Sequence, residues 1–229
     1  MFNYLNKDQK IFHHFHRKVI NPEQDNRAYS YGFLIKRGAD ILFSALVLLV
    51  LALPILAIMM LIKIDSPGSI FFTQQRIGLG RKQFKLFKFR TMVENASSLQ
   101  SCLEKANEIE GGVLFKIKED PRITRVGKFL RRYSIDELPQ LVNVLKGDMS
   151  IVGPRPLTIR DFSRLSSNQY HRHDVLPGIT GLWQVKGRSG SKSKKLHVYD
   201  FFYVNRWSLK LDLMILLQTI LVVVEGKGA

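Results

Sequence analysis

The sequence predicts a compact, irregular α/β domain on the cytosolic side of a membrane, joined to an N-terminal re-entrant membrane helix. Three observations support this fold class. Residues 41–62 form an unbroken apolar run that contains Pro54. After this run, short segments typical of strands and of helices alternate between turns rich in Gly and Pro. The chain also carries 35 Lys and Arg against 19 Asp and Glu, a formal net charge of +16.

A chain of this charge is expected to bind anionic partners, namely phospholipid headgroups, nucleic acid or phosphorylated substrates. Lys and Arg beside a membrane contribute about 1 kcal/mol each against an anionic leaflet, so part of the charge is expected to serve anchoring. The single cysteine, Cys102, cannot form an internal disulfide, which is consistent with a reducing compartment.

Residues 1–34 are predicted to be a polar N-terminal arm, because His, Asn, Gln and Lys follow one another there without a helical or strand period. No signal peptide is expected, since these residues are polar and no small-residue cleavage site follows the apolar run.

Residues 35–64 are predicted to be the membrane element, a helix that breaks at Pro54 and returns to the face it entered. At about 1.5 Å per residue the apolar run would reach about 33 Å, enough for the hydrocarbon core. Proline removes a backbone N–H and clashes with the carbonyl four residues earlier. Lys and Arg flank the run on both sides, so the positive-inside rule places both flanks in the cytosol. A straight spanning helix that tolerates Pro54 is the alternative.

Residues 65–229 are predicted to form the cytosolic domain. Strands are expected at 70–75 and 84–92 around a turn at 78–80, and helices at 95–110, 123–132 and 138–145. Residues 149–190 are predicted to be rich in loops, because Pro and Gly recur there. The last apolar stretch, Leu209–Val224, is expected to lie on the membrane as an amphipathic interfacial helix or to pack on the core.

Two adjacent carboxylates, Asp136 and Glu137, form the most suggestive local group. One interpretation is structural: Ser134 and Glu137 have the spacing of a capping box, and Asp136 followed by Pro139 could equally cap a helix. The other is chemical, since an Asp can attack phosphorus to form an acyl phosphate and an adjacent Glu can hold a divalent cation. The two interpretations are compatible, and the residues alone leave both open.

Further cations and loops add weaker signals. Arg155 stands between Pro154 and Pro156, a rigid setting that suits a guanidinium gripping phosphate, although an ordinary turn with a solvent-facing Arg fits as well. Lys88 and Arg90 alternate with aromatic residues, and the tight loop 177–181 followed by Gln184 and Arg188 could frame a nucleotide. The sequence contains no P-loop, no dinucleotide-type Gly-rich loop and no Asp-x-Asp pair.

In their order along the chain these segments closely resemble the bacterial sugar transferases. These are the monotopic phosphoglycosyl transferases that initiate exopolysaccharide, capsule, O-antigen and glycoprotein glycan assembly. The resemblance runs from about residue 36 to residue 229 and rests on the Pro54 helix and on residues 88–92, 134–141, 143–150, 153–156 and 177–181. One departure is Leu53, where many members have Ser before the helix-breaking proline.

The resemblance implies a two-step transfer of a sugar 1-phosphate from a UDP-sugar to polyprenyl (undecaprenyl) phosphate, with release of UMP. Asp136 would carry the phosphosugar covalently, and Glu137 would bind Mg²⁺. The residues expected to contact substrate or its phosphates are Lys88, Arg90, Arg131, Arg155, Gln184 and Arg188. The sugar is expected to be a hexose such as glucose or galactose.

The resemblance also implies a place and a set of partners. The protein is expected at the cytoplasmic face of the bacterial plasma membrane, on anionic lipids of the inner leaflet, with no nucleic-acid partner. A homodimer is left open. The rival interpretation is a non-enzymatic, membrane-anchored basic module that binds acidic lipid or nucleic acid. For that module, Asp136→Asn should cost no more than about 1 kcal/mol of helix stability.

Overall fold

The structure is a computed structural model that describes residues 26–96, 98–99, 120–186 and 194–226. The chain divides into two compact units, residues 1–36 and 37–229. Three predicted features lie outside the described residues: the first 25 residues of the polar arm, most of the helix at 95–110, and Arg188.

Two helices make up the predicted membrane element, α1 (Asn26–Val50) and α2 (Ala52–Asp65). They are bent by 65° at Leu51. The predicted break at Pro54 is therefore wrong by about one helical turn: the bend lies at Leu51, before the proline. Pro54 itself lies in the first turn of α2, where a missing backbone N–H costs little. In a continuous helix its ring would clash with the carbonyl four residues earlier, that of Val50, which is where α1 ends.

No single described helix is long and apolar enough to cross a bilayer, but the bent pair Tyr31–Val50 and Ala52–Asp65 together has the length and composition to do so. Much of its apolar surface is exposed; Leu53, for example, is 79% exposed. Apolar patches of this extent are uncommon on soluble monomers. Other exposed apolar residues of the two helices include Leu42, Leu46, Leu49, Val50, Leu56, Met60 and Ile64.

A three-stranded antiparallel sheet follows the bent helix pair. The hairpin of β1 (Phe71–Ile77) and β2 (Gln83–Phe89) confirms the two predicted strands, and Leu79–Arg81 forms a 3₁₀ turn between them. The short β4 (Leu157–Thr158) pairs with the other edge of β1, so the order is β2-β1-β4.

Helices and short strands complete the domain. The helices predicted at 123–132 and 138–145 are confirmed as α3 (Arg125–Arg132) and α4 (Gln140–Lys146). Gly147 ends α4 in the left-handed region, with φ of 91°. The region predicted as loops holds short elements instead, including the parallel pair β3 (Ser150–Val152) and β5 (Gly178–Thr180). The remaining elements are α5 (Ile159–Phe162), a 3₁₀ helix (Ser167–His173), α6 (Leu182–Lys186), α7 (Lys194–Arg206) and α8 (Leu209–Val224).

The main core lies between β2, α4, β3 and the last three helices. Leu211 and Ile215 place one face of α8 in this core, which confirms the packing alternative for that stretch, while Leu217 and Leu221 remain exposed. The buried members are Leu86, Val144, Met149, Ile151, Val152, Leu182, Tyr203, Leu211 and Ile215.

Both helices of the bent pair are attached to this domain. In α1, Arg37 donates to the carbonyls of Leu145 and Met149 at 3.3 and 3.4 Å, and Asp40 accepts from the backbone N–H of Ile151 at 3.2 Å. In α2, buried Ile62 packs in a second core cluster with Phe89 and Leu130. These contacts hold the bent pair against the part of the domain that carries the candidate site.

Gly127 offers a test of this packing, because α3 passes close to the backbone after β2. A Cβ at Gly127 would overlap the carbonyl of Thr91. We therefore expect Gly127→Ala to lower the unfolding free energy by about 2 kcal/mol, as overpacking does, measured by thermal unfolding. The matched control is Gly38→Ala in α1, where a Cβ meets nothing within 4 Å. Equal stability of the two variants would contradict this packing.

Candidate active site

The two carboxylates lie on a 3₁₀ turn, Ile135–Glu137, between α3 and α4. Ser134 precedes the turn in the left-handed region, with φ of 56°, and its side chain makes no capping hydrogen bond. The N-cap position of α4 is occupied by Pro139, not Asp136, and it makes no side-chain capping hydrogen bond. The capping interpretation of this segment is therefore wrong.

Both carboxylates are buried: Asp136 is 7% exposed and Glu137 is 9% exposed. Burying two adjacent negative charges is costly unless cations accompany them. Lys88 supplies one, because its Nζ lies 2.8 Å from Oε1 of Glu137 and 3.4 Å from Oδ2 of Asp136. Arg155 supplies another, with Nη1 3.2 Å from the same Glu137 oxygen. The predicted residues Lys88, Asp136, Glu137 and Arg155 thus form one cluster.

The electrostatics of this cluster act most strongly on Asp136. Burial raises the pKa of Asp136 above its usual range, and the neighbouring Glu137 charge adds to this effect. Lys88 and Arg131 act in the opposite direction. Arg131, at the end of α3, therefore lies close enough for its charge to favour the Asp136 carboxylate, while its predicted contact with substrate stays a prediction.

Asn143 sets the position of Lys88 relative to the carboxylates. This fully buried residue of α4 donates to the carbonyl of Lys85 at 2.7 Å and accepts from the N–H of Phe87 at 3.0 Å. A side-chain amide that satisfies both backbone groups joins α4 to β2 in a single register. Because Lys88 follows directly in β2, its ammonium is held over the 3₁₀ turn.

The loop that carries Arg155 packs closely on the loop 177–181. Gly153 donates to the carbonyl of Thr180 and Gly178 donates to that of Pro154, both at 2.9 Å. A Cβ at Gly153 or at Gly178 would overlap the backbone of the facing loop. Glycine is therefore needed for this approach, which aligns Arg155 with Glu137.

Gln184 supports this pair of loops. It lies 4% exposed in α6, and its amide donates to the carbonyl of Ile179 at 3.3 Å. Its predicted contact with substrate stays a prediction, and the other residue predicted beside it, Arg188, lies outside the described residues.

Arg90 contacts the carboxyl end of α2. Its guanidinium is buried and donates to the carbonyls of Ser66, Pro67 and Ile62 and to the hydroxyl of Ser66. These acceptors lie at the carboxyl end of α2, where backbone carbonyls lack intrahelical partners. The contacts give Arg90 a structural role at the end of α2, and its predicted contact with substrate phosphate stays a prediction.

The contrast between Arg90 and Lys88 is testable. We expect Arg90→Gln to lower the midpoint of thermal unfolding, since several backbone carbonyls lose a charged donor, a cost of about 1–3 kcal/mol. Lys88→Gln should instead show mainly a loss of transferase activity, with a smaller drop in the unfolding midpoint, because Lys88 faces the carboxylates. An unchanged unfolding midpoint together with weaker donor binding in Arg90→Gln would support the predicted contact of Arg90 with substrate phosphate.

Two arginines of this region, Arg76 and Arg172, were not predicted from the sequence. Arg76 in β1 donates to the carbonyl of Pro156 at 3.1 Å, and Arg172 donates to the carbonyl of Arg155 at 2.7 Å. Burial and the charge of Arg155 lower the pKa of Arg76 to about 10. Neither arginine lies in a recognisable local motif, so no signal short of the fold could have found them.

Within the described part of the chain, no group of three or more His, Cys, Asp or Glu side chains could hold a metal ion. The pair Asp136 and Glu137 nevertheless fits Mg²⁺, which proteins often bind through one or two carboxylates while substrate phosphates and water complete the octahedron.

Comparison with known proteins identifies relatives over nearly the whole chain. The galactosyl transferase CpsE of Streptococcus agalactiae is 41% identical over 88% of this chain and 45% of its own length. The exopolysaccharide production protein ExoY of Sinorhizobium fredii is 38% identical over 91% of this chain and 93% of its own. The undecaprenyl-phosphate galactose phosphotransferase of Salmonella typhimurium is 38% identical over 93% and 45%. The chain thus spans nearly all of ExoY and about half the length of the other two.

The model of the family described as "Bacterial sugar transferase" matches residues 31–226, which include the bent helix pair, the carboxylate turn and the Arg155 loop. This chain therefore belongs to the bacterial sugar transferase family, as its sequence motifs predicted.

Proposed function

We propose that this protein is a phosphoglycosyl transferase that moves a sugar 1-phosphate from a UDP-sugar to polyprenyl phosphate and releases UMP. The observation that carries the proposal is the buried pair Asp136 and Glu137 with Lys88 and Arg155 at hydrogen-bonding distance. Relatives of this chain are named as an undecaprenyl-phosphate galactose phosphotransferase and as a UDP-glucose:undecaprenyl-phosphate glucose-1-phosphate transferase.

In the first step, a carboxylate oxygen of Asp136 attacks the β-phosphorus of the donor. The bond between this phosphorus and the oxygen bridging to the α-phosphate breaks, and the electron pair leaves with UMP. Lys88 and Arg155, which both contact Oε1 of Glu137, compensate charge on the diphosphate, as positioned cations do in phosphoryl transfer. Asp136 must be ionised for this attack, a state that Lys88 and Arg131 favour against burial.

In the second step, the phosphate of the polyprenol attacks the phosphosugar on Asp136. The new phosphorus–oxygen bond gives polyprenyl diphosphate sugar, and cleavage of the acyl phosphate restores the Asp136 carboxylate. Covalent catalysis of this kind divides one transfer between two bulky anions into two simpler displacements.

Mg²⁺ is part of the proposal as a cofactor. Glu137, with an oxygen of Asp136, would hold it beside the donor diphosphate. When bound, the ion would neutralise charge on the phosphate oxygens. Lys88 and Arg155 already contact Glu137, so they hold this carboxylate in place for binding.

A location at the cytoplasmic face of a bacterial plasma membrane completes the proposal. The polyprenyl phosphate headgroup lies at the bilayer surface, whereas a UDP-sugar arrives from the cytosol. The bent pair of α1 and α2 exposes apolar side chains and has basic residues on both flanks, which supports a re-entrant insertion.

Single cysteines at Ser30 and Ser69 in a Cys102→Ser background should both be labelled from the cytosol; labelling of only one would indicate a spanning helix.

The reaction itself is tested by UMP release. Wild-type protein in lipid nanodiscs would receive Mg²⁺, undecaprenyl phosphate and one of several donors: UDP-glucose, UDP-galactose or UDP-N-acetylgalactosamine. We expect one donor to give release that depends on the acceptor. The rival, a non-enzymatic basic module, predicts no release with any donor and binding to anionic vesicles that Asp136→Asn leaves unchanged.

A further inference from the structure

A buried ion pair that the mechanism does not use lies behind Arg155. Arg172, in the 3₁₀ helix Ser167–His173, and Asp200, in α7, are each 3% exposed. Nη2 of Arg172 lies 2.9 Å from Oδ2 of Asp200. Burial raises the pKa of Asp200 to about 6, so its carboxylate is ionised at neutral pH and the pair is charged.

The same nitrogen of Arg172 reaches the loop of the candidate site. It donates to the main-chain carbonyl of Arg155 at 2.7 Å, while the side chain of Arg155 donates to Glu137 at 3.2 Å. A continuous series of contacts therefore runs from Asp200 through Arg172 and Arg155 to Glu137.

The backbone at Arg155 is well suited to transmit this support. Pro154 and Pro156 on either side restrict its dihedral angles. Arg76 donates to the following carbonyl, that of Pro156, so consecutive carbonyls of the loop each receive a guanidinium. With the backbone held at both points, the direction in which the Arg155 side chain leaves it is strongly constrained.

Stability alone is a poor explanation for such a pair. Two buried charges lose their hydration, and replacing both by apolar residues is often neutral or stabilising. The neighbouring His173 and His197 have pKa values lowered to about 4 by burial and by the charge of Arg172. They are therefore neutral at pH 7 and leave Asp200 as the anion in contact with Arg172.

We propose that Arg172, held by Asp200, is a positioning residue that keeps Arg155 directed at Glu137 and the donor diphosphate. The inference rests on the proposed function for its kinetic consequence, although the geometry of Arg155 can be measured without any substrate. A purely structural pair would affect folding only, so the two roles predict different behaviour once the charges are removed together.

The test uses three variants in nanodiscs: Arg172→Met, Asp200→Leu and the double variant. Each single change leaves one buried charge unpaired and should lower the unfolding midpoint. The double variant should regain that midpoint, yet its kcat for UMP release should stay ten- to hundredfold below wild type and its KM for the donor should rise. The control Arg125→Met, an exposed change in α3, should alter neither. Recovery of activity together with stability in the double variant would overturn the proposal.

Two further measurements test the positioning role, and the second of them needs no sugar transfer. In an Arg155→Ala background, adding Arg172→Met and Asp200→Leu should reduce kcat by less than twofold, because no guanidinium remains to be positioned. If the loss of kcat from these two changes were as large in this background as in wild type, the positioning role would be contradicted. The ¹⁵N resonance of the Arg155 guanidinium can be assigned by its loss in Arg155→Lys. In wild type its chemical shift should differ from that of a free arginine, and in the double variant it should move to the free-arginine value. An unchanged resonance would refute positioning even if the protein proved to transfer no sugar.

Discussion

Replacement of Asp136 by Asn should abolish acceptor-dependent UMP release, by about a thousandfold or more, while the protein stays at least as stable as wild type. The amide cannot attack phosphorus to form an acyl phosphate. Stability should not fall, because burial raises the pKa of Asp136, which means that the folded state disfavours its charged form. UMP release and thermal unfolding, measured on the same preparation, check both statements.

Parallel losses of activity and stability in Asp136→Asn would contradict the nucleophile and favour a structural role. The matched control is Asp148→Asn, because Asp148 is a second carboxylate near α4 that accepts from Asn143 at 3.2 Å. That change should weaken the junction between α4 and β2 and lower stability, with a smaller effect on the reaction.

The raised pKa of Asp136 also predicts a pH dependence. A carboxyl group with a raised pKa becomes protonated at a higher pH than usual, so kcat/KM should fall as the pH drops through that value, above the ordinary Asp pKa of about 4. For stability the sign is opposite: the folded state binds the proton more readily, so this group favours folding increasingly as the pH falls toward 4. Asp136→Asn should remove this contribution from urea unfolding measured between pH 4 and 7, and an unchanged slope would argue against it.

Glu137→Gln should have the second largest effect, and in contrast to Asp136→Asn it should lower both activity and stability. Oε1 of Glu137 accepts from Lys88 at 2.8 Å and from Arg155 at 3.2 Å. A neutral amide leaves both cations without their shared anion, a cost of about 1–3 kcal/mol in unfolding free energy. We expect activity about a hundredfold lower and half-saturation at a higher Mg²⁺ concentration.

A second change distinguishes the two roles of Glu137. Arg155→Met added to Glu137→Gln removes the cation that then lacks its carboxylate partner, since Lys88 keeps Asp136 at 3.4 Å, so it should recover part of the lost stability and none of the activity. If Glu137→Gln kept the wild-type Mg²⁺ dependence, the carboxylate would serve only as the anchor for Lys88 and Arg155, and the proposed metal contact would be wrong.

Local patterns of the sequence were sufficient for most of the elements that carry the site. The hairpin β1–β2 and the helices α3 and α4 follow from alternation, helical period and turn residues, which act over a few neighbouring positions. The cluster of Lys88, Asp136, Glu137 and Arg155 was predicted through family motifs, because the residues alone left a helix cap and a nucleophile both open. Only the fold showed that Ser134 caps nothing and that the turn is 3₁₀.

The sequence by itself therefore determined the family, the bent apolar element and the carboxylates, since each depends on residue types at short spacing. Tertiary structure decided the rest. It moved the bend to Leu51, placed Arg90 on the end of α2, and brought Arg172 and Asp200 together behind Arg155. A buried cation takes whichever acceptors the packed backbone presents, and these come from segments distant in the chain, so no local pattern specifies them.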